Sequence, residues 1–321
     1  MTNNGITVIV LTYNPDWKKL EYTLNSILLQ KEVDFEIIVA DDGSNINFES
    51  ELIQYFKNHK FSNYKLCMNQ INYGTVKNLI SALKFCNKEY VKTISPGDYL
   101  YDCYTLRDIY IFMKKYSANV AFGRAVYYYD DGKVNVVNIS NPIFEDLYSA
   151  DIVYDYKKVK KYQLVYEDFL LGASLIISTD ILKEYLNIVV DKVRLLEDII
   201  VQLLVIDNYR IYAIPRFILW YEYGNGVSTN ANSSFSRLIN VDILSFCNIL
   251  KTKYIDKDYV YRVCCQRINR LTGNKIIREV RKIIELDKFL FRIKKKKKMK
   301  EYKCINYKIE EYFNILKYSS K

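Results

Sequence analysis

Ile6-Thr7-Val8-Ile9-Val10-Leu11-Thr12-Tyr13-Asn14 and Phe35-Glu36-Ile37-Ile38-Val39-Ala40-Asp41-Asp42-Gly43-Ser44 decide how this chain folds. Each is an apolar run that ends in polar residues. Between them Leu20, Leu24, Ile27 and Leu28 recur at helical spacing, so the three pieces read as strand, amphipathic helix and second strand, a right-handed crossover unit of an open sheet. Two adjacent carboxylates at the carboxyl end of the second strand are costly to bury without partners. That edge of an open α/β sheet is where ligands bind. The pair therefore marks a ligand edge and points to a nucleotide-type ligand.

The alternation continues outward. A helix around Glu51 to Phe56 leads to a short strand at Lys65 to Met68, the turn Asn72-Tyr73-Gly74, and a helix with Val76, Leu79, Ile80 and Leu83 on one face. Tyr90 to Ile94 is the next strand. It ends in Ser95-Pro96-Gly97-Asp98, where Pro and Gly break the pairing and bring Asp98 to the same edge as Asp42. After a helix from about 105 to Tyr116, Val120 to Tyr129 pairs with Lys133 to Ile139 through Asp130-Asp131-Gly132, a hairpin signal. Ser174 to Ser178 is a strand and a helix starts near Thr179-Asp180. Glu197-Asp198 heads Ile199 to Ile206, and Arg210 to Ile214 and Phe217 to Tyr221 read as two closing strands. Beyond Gly224 the pattern is helical, with Ile276, Val280, Ile283 and Ile284 in one stripe and five lysines from Lys294 to Lys298.

Composition narrows the classes. With 321 residues, 50% hydrophobic and 26% charged, the chain is an ordinary globular protein. No apolar run reaches the roughly 18–20 residues of a membrane span, and Ile6 to Leu11 is too short and lacks the basic flank of a signal peptide. The expected location is the cytosol. Seven scattered cysteines, with no Cys-x-x-Cys pair, read as reduced and mostly buried thiols. A single histidine, His59, excludes multi-histidine metal sites and leaves a carboxylate as the expected general base. The net charge of +10 is uneven: residues 251–321 hold 22 Lys+Arg against 8 Asp+Glu, and residues 1–250 hold 25 against 29. That basic C-terminal region reads as a solvated tail or as an attachment to an anionic membrane surface; nucleic acid is not an expected partner.

In this order, strand-Leu11-Thr12-Tyr13-Asn14, strand-Asp41-Asp42-Gly43-Ser44, Asn72-Tyr73-Gly74 with Lys77-Asn78, Tyr90 to Asp98 and Glu197-Asp198 resemble the family 2 glycosyltransferases across roughly residues 5–225. The resemblance implies a GT-A fold: an α/β protein with a Rossmann-like mixed sheet flanked by helices, and here a helical C-terminal extension. It divides the chain into a glycosyltransferase domain at 1–225, with a nucleotide-binding half at 1–100 and an acceptor half at 101–225, and a basic helical region at 226–321. It implies an inverting enzyme moving one hexosyl or N-acetylhexosaminyl unit from a nucleotide-sugar donor, a UDP-sugar, to a glycan or lipid-linked acceptor in bacterial surface polysaccharide synthesis, in the cytosol or at the inner face of the plasma membrane.

Carried over position by position, the resemblance puts Thr12, Tyr13, Asn14, Asp42, Gly74, Lys77 and Gly97 at the donor. Tyr13 stacks on the base, and Asp42 accepts from the imide of uracil, as an acceptor-only carboxylate can. Lys77 stands where the family has Arg, supplying a point charge without the bidentate fork, or it is a solvated helix-face lysine. Asp98 matches the last acid of the metal motif, whose earlier acids are Ser95 and Gly97 here. Mn²⁺ or Mg²⁺ is still expected, with weaker protein ligation. Asp198 matches the general base and Glu197 its acceptor-side neighbour, unless both acids serve a helix N-terminus. Trp220, with Tyr221 and Tyr223, offers a stacking platform for an acceptor sugar or packs in the core. Two other readings remain: a sugar nucleotidyltransferase, against which Leu11 to Asp16 holds no glycine, and a non-catalytic nucleotide-sugar-binding scaffold, which the depleted metal motif allows. The chain lacks the Gln-any-any-Arg-Trp motif of processive synthases, so single transfer is expected.

Overall fold

The computed structural model describes residues 3–130, 134–224, 233–273, 286–302 and 309–318. The Ile276 to Ile284 stripe and Cys304 lie outside the described residues. β1 (Asn3–Thr12), β2 (Phe35–Asp41), β3 (Tyr64–Met68) and β4 (Lys88–Ile94) are parallel, in spatial order β3-β2-β1-β4. The crossovers are α1 (Trp17–Leu28), α2 (Glu49–Asn58) and α3 (Thr75–Leu83). Asp16 caps α1 by accepting from the Lys19 N–H, and Leu20, Leu24 and Ile27 are buried, so the periodicity and the cap agree. Ile6, Val8, Ile9, Val10 and Ile37 to Ala40 are fully buried, as continuous apolar runs in parallel strands covered on both faces should be.

After the short β5 (Tyr99–Leu100) and α4 (Thr105–Lys115), the chain leaves strict alternation. β6 (Val120–Asp130) pairs antiparallel with β7 (Val134–Val137), the expected hairpin. Short α5 (Tyr156–Lys160) leads to β8 (Leu175–Ser178), which joins β4 to β6, antiparallel to both. α6 (Thr179–Val189) and α7 (Ile200–Ile206) follow. The two expected closing strands are a single strand, β9 (Ile211–Glu222), parallel to β6. It absorbs Pro215, which has no N–H to give the ladder, where the pairing register shifts around Arg124.

The C-terminal helices are α8 (Ser233–Lys253), α9 (Asp258–Thr272), α10 (Leu286–Glu301) and α11 (Ile309–Tyr318). Phe246, Leu250, Val260, Val263 and Cys264 join the core that β4, β8 and α3 share, so α8 and α9 are part of the packed body. α11 lies against α1 and the β5–β9 pair: the Asn25 side-chain amide donates to the Leu316 carbonyl at 2.8 Å, and Phe313 meets Tyr99, Tyr128 and Trp220 edge-on. The six described cysteines are all free, as the scattered spacing implied.

Candidate active site

The carboxyl ends of β1, β2 and β4 open into a cleft of about 1110 Å³, lined on one wall by Tyr13, Asp42, Asn72, Gly74 and Asp98 and on the other by Glu197 and Asp198. The strand-end residues and the distant acidic pair therefore share one space.

The two acids that end β2 both hold loops. Asp41 accepts from Thr12 Oγ1 at 2.8 Å and from the backbone and hydroxyl of Ser44 at 2.8 and 2.5 Å, which closes the turn after the strand. Asp42 accepts from the backbone N–H of Tyr73 at 2.9 Å and of Gly74 at 2.8 Å, one on each oxygen. It thereby pins the Asn72-Tyr73-Gly74 turn to the strand end, a structural role the sequence did not reveal. A carboxylate has about four lone-pair sites, so Asp42 keeps acceptor capacity toward the cleft. Asn14 adopts a left-handed backbone (φ 47°) and clasps the turn after β2: its N–H donates to Ser44 Oγ at 2.6 Å and its Oδ1 accepts from Asn45 N–H at 2.8 Å. The clasp leaves the ring of Tyr13 51% exposed at the rim, free to lie against a planar group.

Lys77 is not part of the cleft wall. α3 buries Val76, Asn78 and Leu79, so position 77 points to solvent. The cation over the N-terminus of α3 is Arg194, which sequence reasoning missed. Its side chain lies across Gly74, so close that a Cβ there would stand 2.3 Å from Arg194 Cγ, and Nη2 donates to Asn72 Oδ1 at 2.8 Å. The Arg194 carbonyl accepts from Val76 N–H at 3.1 Å. Asp242 of α8, itself buried, accepts from the backbone N–H groups of Arg194, Leu195 and Leu196 at 2.9, 2.7 and 3.2 Å. This carboxylate fixes the segment that delivers Glu197-Asp198.

Asp98 is buried at the end of β4 and accepts from Glu222 N–H at 3.0 Å. Burial pushes its carboxyl up to about 7, against the pull of the Glu222 N–H and the charge of Lys92. Gly97 does not line the cleft; it shapes the turn. With φ +98° it lies directly under the Glu222 carboxylate, its N–H donates to Thr23 Oγ1 at 3.1 Å, and its carbonyl accepts from Tyr128 Oη. Glu222, a second acid the sequence did not single out, is ion-paired to Lys19 at 2.5 Å. Asp98 and Glu222 are hard oxygen donors of the type that suits Mg²⁺ or Mn²⁺. Among the described residues no three His, Cys, Asp or Glu side chains form a metal cage, so such an ion would draw its remaining ligands from phosphate and water. The donor set fits that kind of open site.

Behind the acidic pair sits a small cavity of about 20 Å³ with walls of Leu79, Val91, Leu175 and Ile177. In this apolar setting burial raises both carboxyls above the usual range, and the charge of Asp198 raises Glu197 further. Neither acid caps the helical turns it heads. Asp198 rests on Gly172, where a Cβ would come within 2.9 Å of Oδ2. The adjacent Ala173 carbonyl is held by the ammonium of Lys92, a fully buried lysine that burial lowers to about 7. A lysine within Tyr90-Val91-Lys92-Thr93-Ile94 was the available signal for this support.

Trp220 is not an acceptor platform. It is 2% exposed, stacks on Tyr101 at 5.4 Å, donates from Nε1 to the Tyr101 carbonyl at 3.1 Å and is covered by Phe313. Strand alternation turns it away from the cleft, and Tyr127, Tyr221 and the 41% exposed Tyr223 take the cleft side. The far end of the cleft is lined by Arg267, Arg270 and Lys295. Arg270 pairs with Glu167 through two 2.7 Å bonds, and Lys295 with Asp168 at 3.2 Å. Part of the basic C-terminal region is therefore cleft wall, which composition alone did not show.

The model of the glycosyl transferase family 2 domain matches residues 7–170, just over half of the chain. The chain belongs to this family. As a family 2 protein it is 31% identical over 154 residues to the poly(ribitol-phosphate) β-N-acetylglucosaminyltransferase TarP of Staphylococcus aureus (strain N315), a match covering 46% of this chain and 44% of TarP. The chain thus spans less than half the length of that curated relative. Among solved structures it is similar to S. aureus TarS 1–349 in complex with UDP (TM-score 0.54, 18% identity, 84% of this chain and 72% of that one). It is also similar to the same TarS fragment in complex with UDP-GlcNAc (TM-score 0.55, 20% identity, 83% and 72%). The mixed sheet flanked by helices, with helices following it, is the GT-A fold the sequence implied.

Proposed function

We propose that this chain is an inverting glycosyltransferase that moves a single N-acetylhexosamine from a UDP-linked donor to a glycan or polyol-phosphate acceptor in surface polymer synthesis. One observation carries the reading: a single cleft joins the exposed ring of Tyr13, the free acceptor capacity of Asp42 and the acid Asp98 on one wall to the Glu197-Asp198 pair on the other. Family membership, the activity in TarP's name and the UDP-GlcNAc bound by TarS support it.

In this reading Tyr13 stacks on the base and Asp42 accepts from its imide. The diphosphate lies over the N-terminus of α3, where Arg194 and the helix dipole meet its charge. Asp198 removes the proton of an acceptor hydroxyl as its oxygen bonds to the anomeric carbon. The bond from that carbon to the diphosphate oxygen breaks on the opposite face, and the nucleoside diphosphate departs with its electron pair. A divalent cation held by Asp98, with Glu222 beside it, would supply charge neutralisation for the departing diphosphate. Tyr223, exposed at the cleft, offers a face to the acceptor, and Arg270 and Lys295 at the far end suit an acceptor that carries phosphate.

Thermal shift against a panel of nucleotide sugars with and without Mn²⁺ tests this directly. A UDP-sugar at about 100 times its dissociation constant should stabilise the fold by about 2.7 kcal/mol. No shift with any nucleotide sugar would sink the proposal. Binding without any release of UDP, with or without acceptor, would leave a nucleotide-sugar-binding scaffold instead.

A further inference from the structure

The helix α10 has two faces of different character. Its inner face is fully committed. Phe291 is buried and stacks on Tyr166 at 4.3 Å between Phe144 and Tyr162. Lys288 donates to Gln266, Lys295 pairs with Asp168, Lys298 pairs with Asp146, and Met299 packs on the same aromatic group. These contacts fix the rotation of the helix about its own axis.

The opposite face is turned outward, and its residues are unlike those of an ordinary solvated helix. Phe289, Leu290 and Ile293 are 53%, 57% and 51% exposed. One turn further on, along the same face, stand Lys296 and Lys297, and a turn beyond them Lys300, all exposed, with the exposed Arg292 next to Ile293 in sequence. No acid lies on this face between Phe289 and Lys300. A solvated helix mixes both signs of charge and hides its large apolar side chains. This one shows three large apolar groups at i, i+1 and i+4 followed by cations alone. Apolar side chains that enter the boundary of the acyl chains, flanked by lysines that meet headgroup phosphates, have this composition. Among the described residues no helix is long and apolar enough to cross a membrane, so the contact is one of lying on a surface.

We propose that α10 is an interfacial helix that lays Phe289, Leu290 and Ile293 into an anionic lipid surface, with Arg292, Lys296, Lys297 and Lys300 on its headgroups. Anionic lipid is the partner because the face is apolar and basic at once. A nucleic acid would be met by the lysines and would leave the three apolar groups without a function. The same helix places Lys295 in the wall of the cleft, so one helix carries the surface contact on its outer face and the far end of the cleft on its inner face.

The test is flotation of the full chain with vesicles of equal phosphatidylglycerol and phosphatidylcholine, against vesicles of phosphatidylcholine alone. The expected result is association with the anionic vesicles at least tenfold stronger than with the neutral ones. The triple changes Phe289→Ser, Leu290→Ser, Ile293→Ser and Lys296→Glu, Lys297→Glu, Lys300→Glu should each abolish it. Both sets leave the inner face untouched, and an unchanged melting temperature and unchanged response to UDP-sugars would establish that fold and cleft are intact. Equal binding to both vesicle types, no binding to either, or full binding by the apolar triple variant would each overturn the proposal. Binding to duplex nucleic acid without binding to vesicles would overturn it in favour of a polyanion site. The proposal stands apart from the reading of the cleft, since a chain that binds no nucleotide sugar can still float with the vesicles.

Discussion

Two loops meet across the cleft, and each is held by one buried carboxylate that accepts backbone N–H groups. The Asn72-Tyr73-Gly74 turn is held by Asp42, 31 and 32 residues away, within the parallel β1–β4 unit. The segment Arg194-Leu195-Leu196 is held by Asp242, 46 to 48 residues downstream, on a helix of the C-terminal region. The wall proposed to hold the donor base is thus built by the sheet that defines the fold, while the wall carrying the proposed base catalyst, and Arg194 with it, hangs on a helix added after it. A change at Asp198 should therefore separate turnover from donor recognition, while changes at Asp242 or Arg194 reach the donor as well.

The sharpest separation is expected from Asp198→Asn. Loss of a general base costs about 10²–10⁴-fold in rate, and UDP-sugar affinity measured by calorimetry should stay within a few-fold. Near-normal turnover would reject Asp198 as the base. In the unaltered protein, burial raises the Asp198 carboxyl and only its ionised form accepts a proton. The rate should therefore fall on the acid side with a midpoint above the ordinary carboxylate value of about 4, and steady-state kinetics from pH 5 to 8 checks this.

Asp242→Ala is expected next in size. It leaves three backbone N–H groups without their acceptor, and misplacing the base by about 1 Å can cost about 10²-fold in kcat. Because Arg194 rides on the same segment, donor affinity should weaken too. A variant with a normal kcat would show that α8 is not needed to position the base. The smallest effect concerns the two cations. Arg194→Ala should raise the donor KM about tenfold, as expected for roughly 1.4 kcal/mol of lost charge-assisted contact, while Lys77→Ala should stay within about twofold. The reverse order would restore Lys77 to the donor site.

The same contrast explains what could be read from the sequence. β1 to β4 and their helices were legible because continuous apolar runs, helical periodicity and turn residues all agree there. The placement of Asp98 and Asp198 in one cleft was legible only through the resemblance, since nothing in the spacing of residues 98 and 198 implies contact. Arg194 and Asp242 escaped because their roles depend on where a loop and a helix dock, which local sequence does not encode. Motif position and aromatic type leave Lys77 between the donor and a solvated helix face, and Trp220 between an acceptor platform and the core. One residue of helix phase turned the first away from the cleft, and strand alternation with the covering α11 took the second out of it. Gly97 contributes through its turn and the Glu222 carboxylate packed on it.

The bond from Asn25 to the Leu316 carbonyl spans 291 residues. At about 5–20 residues per second, a ribosome needs roughly 15–60 s to make the second partner after the first. Until Leu316 is made the amide of Asn25 has no carbonyl to meet and the surface that Phe313 and Leu316 cover stays open to water. This corner of the sheet is therefore closed only by the end of the described chain, after every strand has been made.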